Sequence, residues 1–326
     1  MKAIARFRSC LARLMEKFVA LRQIEGKDYS SQTRNLRRFD CFLTKKKWKG
    51  RWLPRSVIDD YSLSQAHVAP SGRRTEMSVV RQFCLYLSLF EPRCYVPDGV
   101  WAGDPSILRI PFVFTKSQVC DLLAGARELP PWPYSLRPHM YRTLFGLLYT
   151  AGIRIGEALA LNIGDIDLQS QRLLIRKGKF GKARWVPFSA STACRLEDYL
   201  KRRQRDAPNS AEAPLFISWK AERLAHRTAD NNFWLVMRAG GFSKQSRAGP
   251  TIHSLRHTFA CHCLLRWYRA GLDVNALLFA LATYMGHVDI QYTSRYIHAI
   301  PELLEQANQR FLKHYRTKIK TEVTRE

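Results

Sequence analysis

The stretch from His253 to Tyr296 concentrates residue types that can handle an anionic, oxygen-rich group. It contains His253-Ser254-Leu255-Arg256, then Gly286-His287, then Tyr296 nine residues beyond His287. His253 and Arg256 are three residues apart, so on a helix they share a face. Pro250 and Thr251 suit a loop leading into that helix. A guanidinium offers a planar fork that matches phosphate oxygens. Imidazole gives or takes a proton near neutral pH, and a tyrosine hydroxyl can act as a covalent nucleophile. Taken singly, each has an ordinary reading: a surface ion-pair Arg, a helix-end His, one Tyr among 13.

Two further segments complete a pattern. Thr150-Ala151-Gly152-Ile153-Arg154-Ile155-Gly156-Glu157 presents an Arg just after a glycine. Gly178-Lys179-Phe180-Gly181-Lys182-Ala183-Arg184-Trp185-Val186-Pro187 presents lysines in a turn-like run, with Lys177 and Lys182 flanking Lys179. In this order the five segments resemble the boxes of the tyrosine recombinases, or phage-type integrases. The resemblance covers residues 112–299 well and the N-terminal third loosely. One departure is the stretch from Pro208 to Pro250, whose length and basic loop Ser243–Arg247 differ from the family's more regular gap and are expected to shape DNA specificity.

The chemistry expected of these residues centres on a DNA phosphodiester. Positive donors fixed around the phosphate are the largest available catalytic term. Arg154 and Arg256 are the candidates to grip its non-bridging oxygens, and His287 could add a third hydrogen bond. A Tyr hydroxyl is protonated at neutral pH, so Tyr296 needs a base, for which His253 is the natural candidate. The resemblance implies attack by Tyr296 on phosphorus, a 3′-phosphotyrosyl intermediate, a free 5′-hydroxyl, and Lys179 as the acid for the departing oxygen. It further implies a tetramer assembled on two double-stranded DNA sites, acting in integration, transposition or resolution of a DNA element. Glu157 either orients Arg154 or sits at a helix surface. Tyr284, Tyr292 and His298 are assigned to packing or the DNA-facing surface. Two rivals stand beside this reading: a type IB topoisomerase using a similar residue set as a monomer, and a DNA-binding protein with no catalysis.

Composition agrees with a polyanionic partner. Lys plus Arg number 53 against 27 for Asp plus Glu, a formal net charge of +26. No segment has the length or apolarity of a spanning helix, and the N-terminus interleaves basic with apolar residues, unlike a signal peptide. A cytoplasmic, nucleoid-associated protein is expected. The eight cysteines contain no C-x-x-C pair. Cys261 and Cys263 would point to different sides of a helix, so buried or half-buried free thiols are expected rather than a zinc site. With no paired carboxylates near the boxes, neither metal nor cofactor is expected.

These residues must be positioned by the rest of the chain. Its 326 residues suffice for two domains. The predicted class is α+β, mainly helical: a SAM-like helical core-binding domain over residues 1–95, a linker over 96–109, and a mixed α/β catalytic domain over 110–326. Apolar spacing predicts helices over residues 2–24, 31–44, 54–66 and 73–90, the first with Ile4, Phe7, Leu11, Leu14, Phe18 and Leu21 as its stripe. The second has Leu36, Phe39, Phe42 and Leu43 inward and Arg34, Arg37 and Arg38 outward. The run Lys45–Trp52 sets Trp48 and Trp52 among basic residues, either to brace DNA or to pack on the core. Pro and Gly mark Glu91–Pro105 as linker. Thr115 and Gln118 form a capping box, and Gly152 stops the helix over 138–150. Residues 165–188 alternate as two or three short antiparallel strands, with Lys179 at a tight turn. Ser189 or Ser191 caps the next helix, a basic polar loop follows over 201–209, and another helix lies around residues 230–239. A last helix from Pro301 carries Leu303, Leu304, Ala307 and Phe311 and is suited to docking on a neighbour.

Overall fold

A computed structural model of the chain describes residues 7–25, 29–98, 111–131, 135–176, 178, 183–242 and 249–286, with positions 305, 308, 309, 311 and 312 beyond them. The chain divides into two compact units, Met1–Leu108 and Arg109–Glu326.

The first unit packs four helices: α1 Ala12–Ile24, α2 Ser30–Lys45, α3 Arg55–Ser64 and α4 Pro70–Ser88. Their stripes close one core around Phe18, Leu36, Phe39, Tyr61, Met77, Phe83 and Leu87. Residues 7–11, inside the span predicted as helical, are not part of it, and α1 begins at Ala12. The buried carboxylate of Asp40 accepts the backbone N–H groups of Arg8 (2.8 Å) and Ser9 (2.9 Å), which hold the chain in a turn before Ala12. Met15, Phe18 and Val19 then form the inward stripe. Leu21 is 44% exposed and Phe90 59% exposed, because each lies at the edge or beyond the end of its helix's buried stripe. On α2, Leu36, Phe39 and Leu43 are buried, while Arg34, Arg37 and Arg38 face out. Trp48 and Trp52 pack against the core, with Lys45, Lys46, Lys47, Lys49 and Arg51 exposed around them. Tyr95 donates its N–H to the carbonyl of Leu53 (2.8 Å), and Arg81 reaches that of Pro97 (2.9 Å). Residues 91–98 of the expected linker therefore lie against this unit.

The second unit is built on α6, Arg137–Thr150, which buries Met140, Tyr141, Leu144, Phe145, Leu147 and Leu148. Around it stand α5 Lys116–Arg127, α7 Ile155–Ala160, α8 Ala190–Arg203, α9 His226–Ala239, α10 Ser254–Arg269 and α11 Val274–Met285. The Thr115–Gln118 capping box is formed, and Ser189 caps α8. Three short strands, β1 Ile166–Asp167, β2 Arg172–Ile175 and β3 Arg184–Pro187, pair antiparallel in the order β1-β2-β3. Leu173 and Ile175 face the core with Val186, while Trp185 is 51% exposed beneath the guanidinium of Arg172. The basic polar loop expected over residues 201–209 is corrected at its start. α8 runs through Arg203, whose side chain is fully buried and donates to the carbonyls of Pro208 (2.7 Å), Pro214 (2.7 Å) and Leu215 (3.1 Å). Three carbonyl dipoles in place of water explain why a charge is tolerated there. The cysteines also depart from expectation. Cys84, Cys94, Cys261 and Cys263 are buried, but Cys10, Cys41, Cys120 and Cys194 are exposed.

Candidate active site

The site forms where the C-terminal ends of α6 and α11 meet the N-terminal ends of α7 and α10. α6 stops at Ala151, and Gly152 takes φ of +58°. A Cβ at Gly152 would lie 2.2 Å from the ring of Phe259, so both the conformation and the space require glycine. This turn sets Arg154 at the N-cap of α7, with its side chain 24% exposed. α11 stops in the same way at Gly286, with φ of +67°.

Three guanidiniums take the carbonyls at the end of α11. Arg154 donates to the carbonyl of Gly286 (2.7 Å), Arg256 to Met285 (2.7 Å) and Arg184 to Tyr284 (3.1 Å). The negative end of a helix favours such cations. Arg256, 1% exposed, also donates to Gly152 (2.6 Å), so one buried fork ties the ends of α6 and α11 together.

Glu157 is the buried counter-ion. Its Oε1 accepts from Arg154 (2.8 Å) and Arg184 (3.0 Å), and its Oε2 from Arg184 (2.9 Å) and the Arg154 backbone N–H (2.9 Å). Burial alone would raise its carboxyl, but the hydrogen bonds and charges of the two arginines prevail and hold it down to about 2. Of the two roles left open by sequence, orienting Arg154 is the one the geometry supports.

His253 is the N-cap of α10, half-buried, its ring 4.6 Å from that of His257 in an edge-on contact. Burial, then the charges of Arg256 and Arg154, lower its pKa to about 4. It is therefore neutral at physiological pH and available to accept a proton. Tyr284 stacks on Phe259 (5.5 Å between centroids) and donates to the carbonyl of Pro187 (3.1 Å). His262 meets the hydroxyl of Tyr149 (3.0 Å) between the buried Cys261 and Cys263.

The structure thus brings together Arg154, Arg256 and His253 of the sequence-derived set. Lys179, His287 and Tyr296 lie outside the described residues, as do Tyr292, His298, the Ser243–Arg247 loop and most of the helix expected from Pro301. Gly286 places the described chain directly before His287. Sequence reasoning passed over Arg184. The signal was there: in a strand with Val186 facing the core, Arg184 occupies the same inward face and must find a partner.

Converging guanidiniums beside a neutral histidine, on a mainly helical α+β unit that follows a basic helical unit in the sequence, form a cationic site suited to an anionic group. Comparison with known proteins gives the family. The phage integrase family matches residues 113–302. A Sinorhizobium fredii protein named as integrase/recombinase y4rB is 39% identical over 247 residues, spanning 74% of this chain and 78% of its own. The tyrosine recombinase XerC of Chlamydia trachomatis is 30% identical over 242 residues, spanning 74% and 71%. The chain belongs to the phage integrase family and is a tyrosine-type site-specific DNA recombinase, an enzyme that cleaves and rejoins DNA. Solved structures that share its fold include two bound to DNA. XerH recombinase bound to difH has a TM-score of 0.65 at 18% identity, covering 86% of this chain and 78% of its own. The Tn1549 transposon integrase with transposon right-end DNA has a TM-score of 0.64 at 15% identity, covering 91% and 98%.

Proposed function

We propose that Arg154, Lys179, His253, Arg256, His287 and Tyr296 form one catalytic set acting on a single DNA phosphate. Arg154 and Arg256 hold the non-bridging oxygens, and His287 adds a third hydrogen bond. His253 takes the proton of Tyr296 as its oxygen bonds to phosphorus. The bond from phosphorus to the 5′ oxygen breaks, and that oxygen receives a proton from Lys179. The 3′-phosphotyrosyl bond retains the energy of the diester, so the reverse steps rejoin DNA. Support comes from one observation above all: Arg154 and Arg256 converge on adjacent carbonyls, those of Gly286 and Met285, immediately before His287. Bound phosphate would also raise His253 from its low value, because an anion offsets the two guanidinium charges.

The first unit, with its exposed Arg and Lys on α2 and the following loop, is the part that positions duplex DNA; the second carries the chemistry. Exchange of strands between two sites requires four protomers, so a tetramer on DNA belongs to this reading, as does mobilisation or resolution of a DNA element. Among the described residues no helix is long and apolar enough to cross a membrane. DNA as substrate gives a cytoplasmic, nucleoid-associated location.

The test is a library of nicked duplexes with randomised arms, incubated with the full chain and quenched in detergent. Covalent adducts are recovered and sequenced, which also yields the preferred duplex. Tyr296→Phe should still bind that duplex and form no adduct. An adduct from this variant would move the nucleophile elsewhere, with Tyr292 next. Efficient relaxation of plasmids without sequence preference would favour a topoisomerase instead, and no adduct at all a binding protein.

A further inference from the structure

Two free thiols, Cys84 and Cys94, meet inside the first unit. Cys84 lies on the buried face of α4 with Phe83 and Leu87 and is 0% exposed. Cys94 belongs to the segment that runs back along the unit after α4, and is 6% exposed. Three hydrogen bonds hold that segment in place. The N–H of Cys94 donates to the carbonyl of Glu91 (2.9 Å), the N–H of Tyr95 to that of Leu53 (2.8 Å), and the side chain of Arg81 on α4 to that of Pro97 (2.9 Å). The Cys84 thiol donates to the Cys94 sulfur, and the Cys94 thiol reaches the carbonyl of Tyr95 (3.8 Å). The contact between the sulfurs, with burial, raises the Cys84 thiol. At Cys94 the same contact prevails over burial and lowers the thiol, with help from the backbone N–H of Leu53. A single buried cysteine serves as a small apolar side chain. Two in mutual contact, one of them with its thiolate favoured, have a further chemistry open to them.

We propose that Cys84 and Cys94 form a reversible disulfide that staples residues 91–98 to α4 when the protein meets hydrogen peroxide. The Cys94 thiolate takes an oxygen from the peroxide, becoming a sulfenic acid and releasing hydroxide. The Cys84 sulfur then bonds to that of Cys94, and its proton leaves with the sulfenic hydroxyl as water. Two thiols are oxidised, and one peroxide is reduced to two waters. A small oxidant is required, because Cys84 is shut from solvent and Cys94 nearly so. Glutathione reverses the bond by thiol–disulfide exchange and leaves as glutathione disulfide.

The full chain is treated with graded hydrogen peroxide under native conditions. Its remaining thiols are alkylated, and it is digested with trypsin without reduction. Cleavage after Arg81, Arg93 and Arg109 puts the two cysteines on separate peptides, residues 82–93 and 94–109. A disulfide leaves these peptides joined, with a mass two hydrogens below their sum. The joined pair should accumulate with peroxide and vanish when glutathione is added before alkylation. Hydrogen exchange reads the staple itself. The Tyr95 N–H, bonded to Leu53, should exchange about tenfold more slowly in the oxidised chain, because the segment can no longer lift from α4 by itself. Cys94→Ser should show neither response, and Cys84→Ala carries that control if the first variant does not fold.

Peroxide that modifies the exposed Cys10, Cys41, Cys120 and Cys194 without joining the two peptides would overturn the proposal. So would joining seen only in denaturant, or a joined pair that glutathione leaves intact. Unchanged exchange at Tyr95 in the oxidised chain would show that the bond staples nothing, and the proposal would fall.

Discussion

Each site residue is set by its immediate surroundings. His253 is neutral because it is buried and because Arg256 and Arg154 repel a proton from it. In the free protein its protonation lies near pH 4, whereas bound phosphate cancels part of that repulsion. Adduct formation at sub-saturating DNA should then keep its rate down to about pH 4, and at saturating DNA the acid limb should move to higher pH. His253→Gln should lack that limb in both regimes. A limb that stays put as DNA saturates, or survives in His253→Gln, would remove this residue as the base. Arg256 is held between two carbonyls at 2.6 and 2.7 Å. Arg256→Lys cannot keep both bonds together with the phosphate contact proposed above, so a rate loss of roughly 10²–10³ is expected in the same assay.

Helix ends do the positioning. The α6 end matters most, because the carbonyl of Gly152 anchors Arg256. Gly152→Ala places a Cβ 2.2 Å from Phe259 and strains a residue at φ +58°. It should lower the thermal midpoint by several degrees, a cost of roughly 1–3 kcal/mol, and slow adduct formation further than the stability loss explains. Thr115→Ala removes only the cap of α5, remote in sequence from the site boxes. A loss of about 1 kcal/mol, read by denaturant unfolding, should come with normal activity per folded molecule. An inactive but folded Thr115→Ala protein would show that α5 bears on the chemistry.

The whole molecule is governed by charge. With a net charge of +26, DNA affinity should fall steeply with salt, each neutralised phosphate contributing about −0.9 to the slope of log K against log salt. A flat response would be incompatible with several backbone contacts. Acid should also lower the stability of the second unit progressively. Glu157 is held at about 2 when folded against an ordinary 4.5, so its contribution is complete above pH 4.5 and is lost as pH falls towards 2. His253, depressed to about 4 from 6.5, adds a loss that begins as pH drops below 6.5. Glu157→Gln leaves two buried guanidiniums uncompensated and should cost roughly 3 kcal/mol in chemical denaturation. It should also flatten the part of the acid-unfolding profile below pH 4.5.

Elements whose signals are local were legible in the sequence. The Thr115–Gln118 cap, the glycine stop at Gly152, the alternation of β2 and β3, and the stripe of α2 each rest on neighbours a few residues apart. The ordered boxes carried the family because His253, Arg256 and Arg154 are recognised by type and spacing. Tertiary structure decided the matters that depend on distant partners. Asp40, some thirty residues away, takes the backbone N–H groups of Arg8 and Ser9 just before α1. Buried carbonyls turn Arg203 from an expected loop residue into a core one. Glu157 became the counter-ion of two arginines, and Arg184 the link between hairpin and helix end, only when residues 27 and 100 positions apart met. Periodicity reports which face of an element is buried. It cannot report which carbonyl or carboxylate waits there, because that partner comes from another part of the chain.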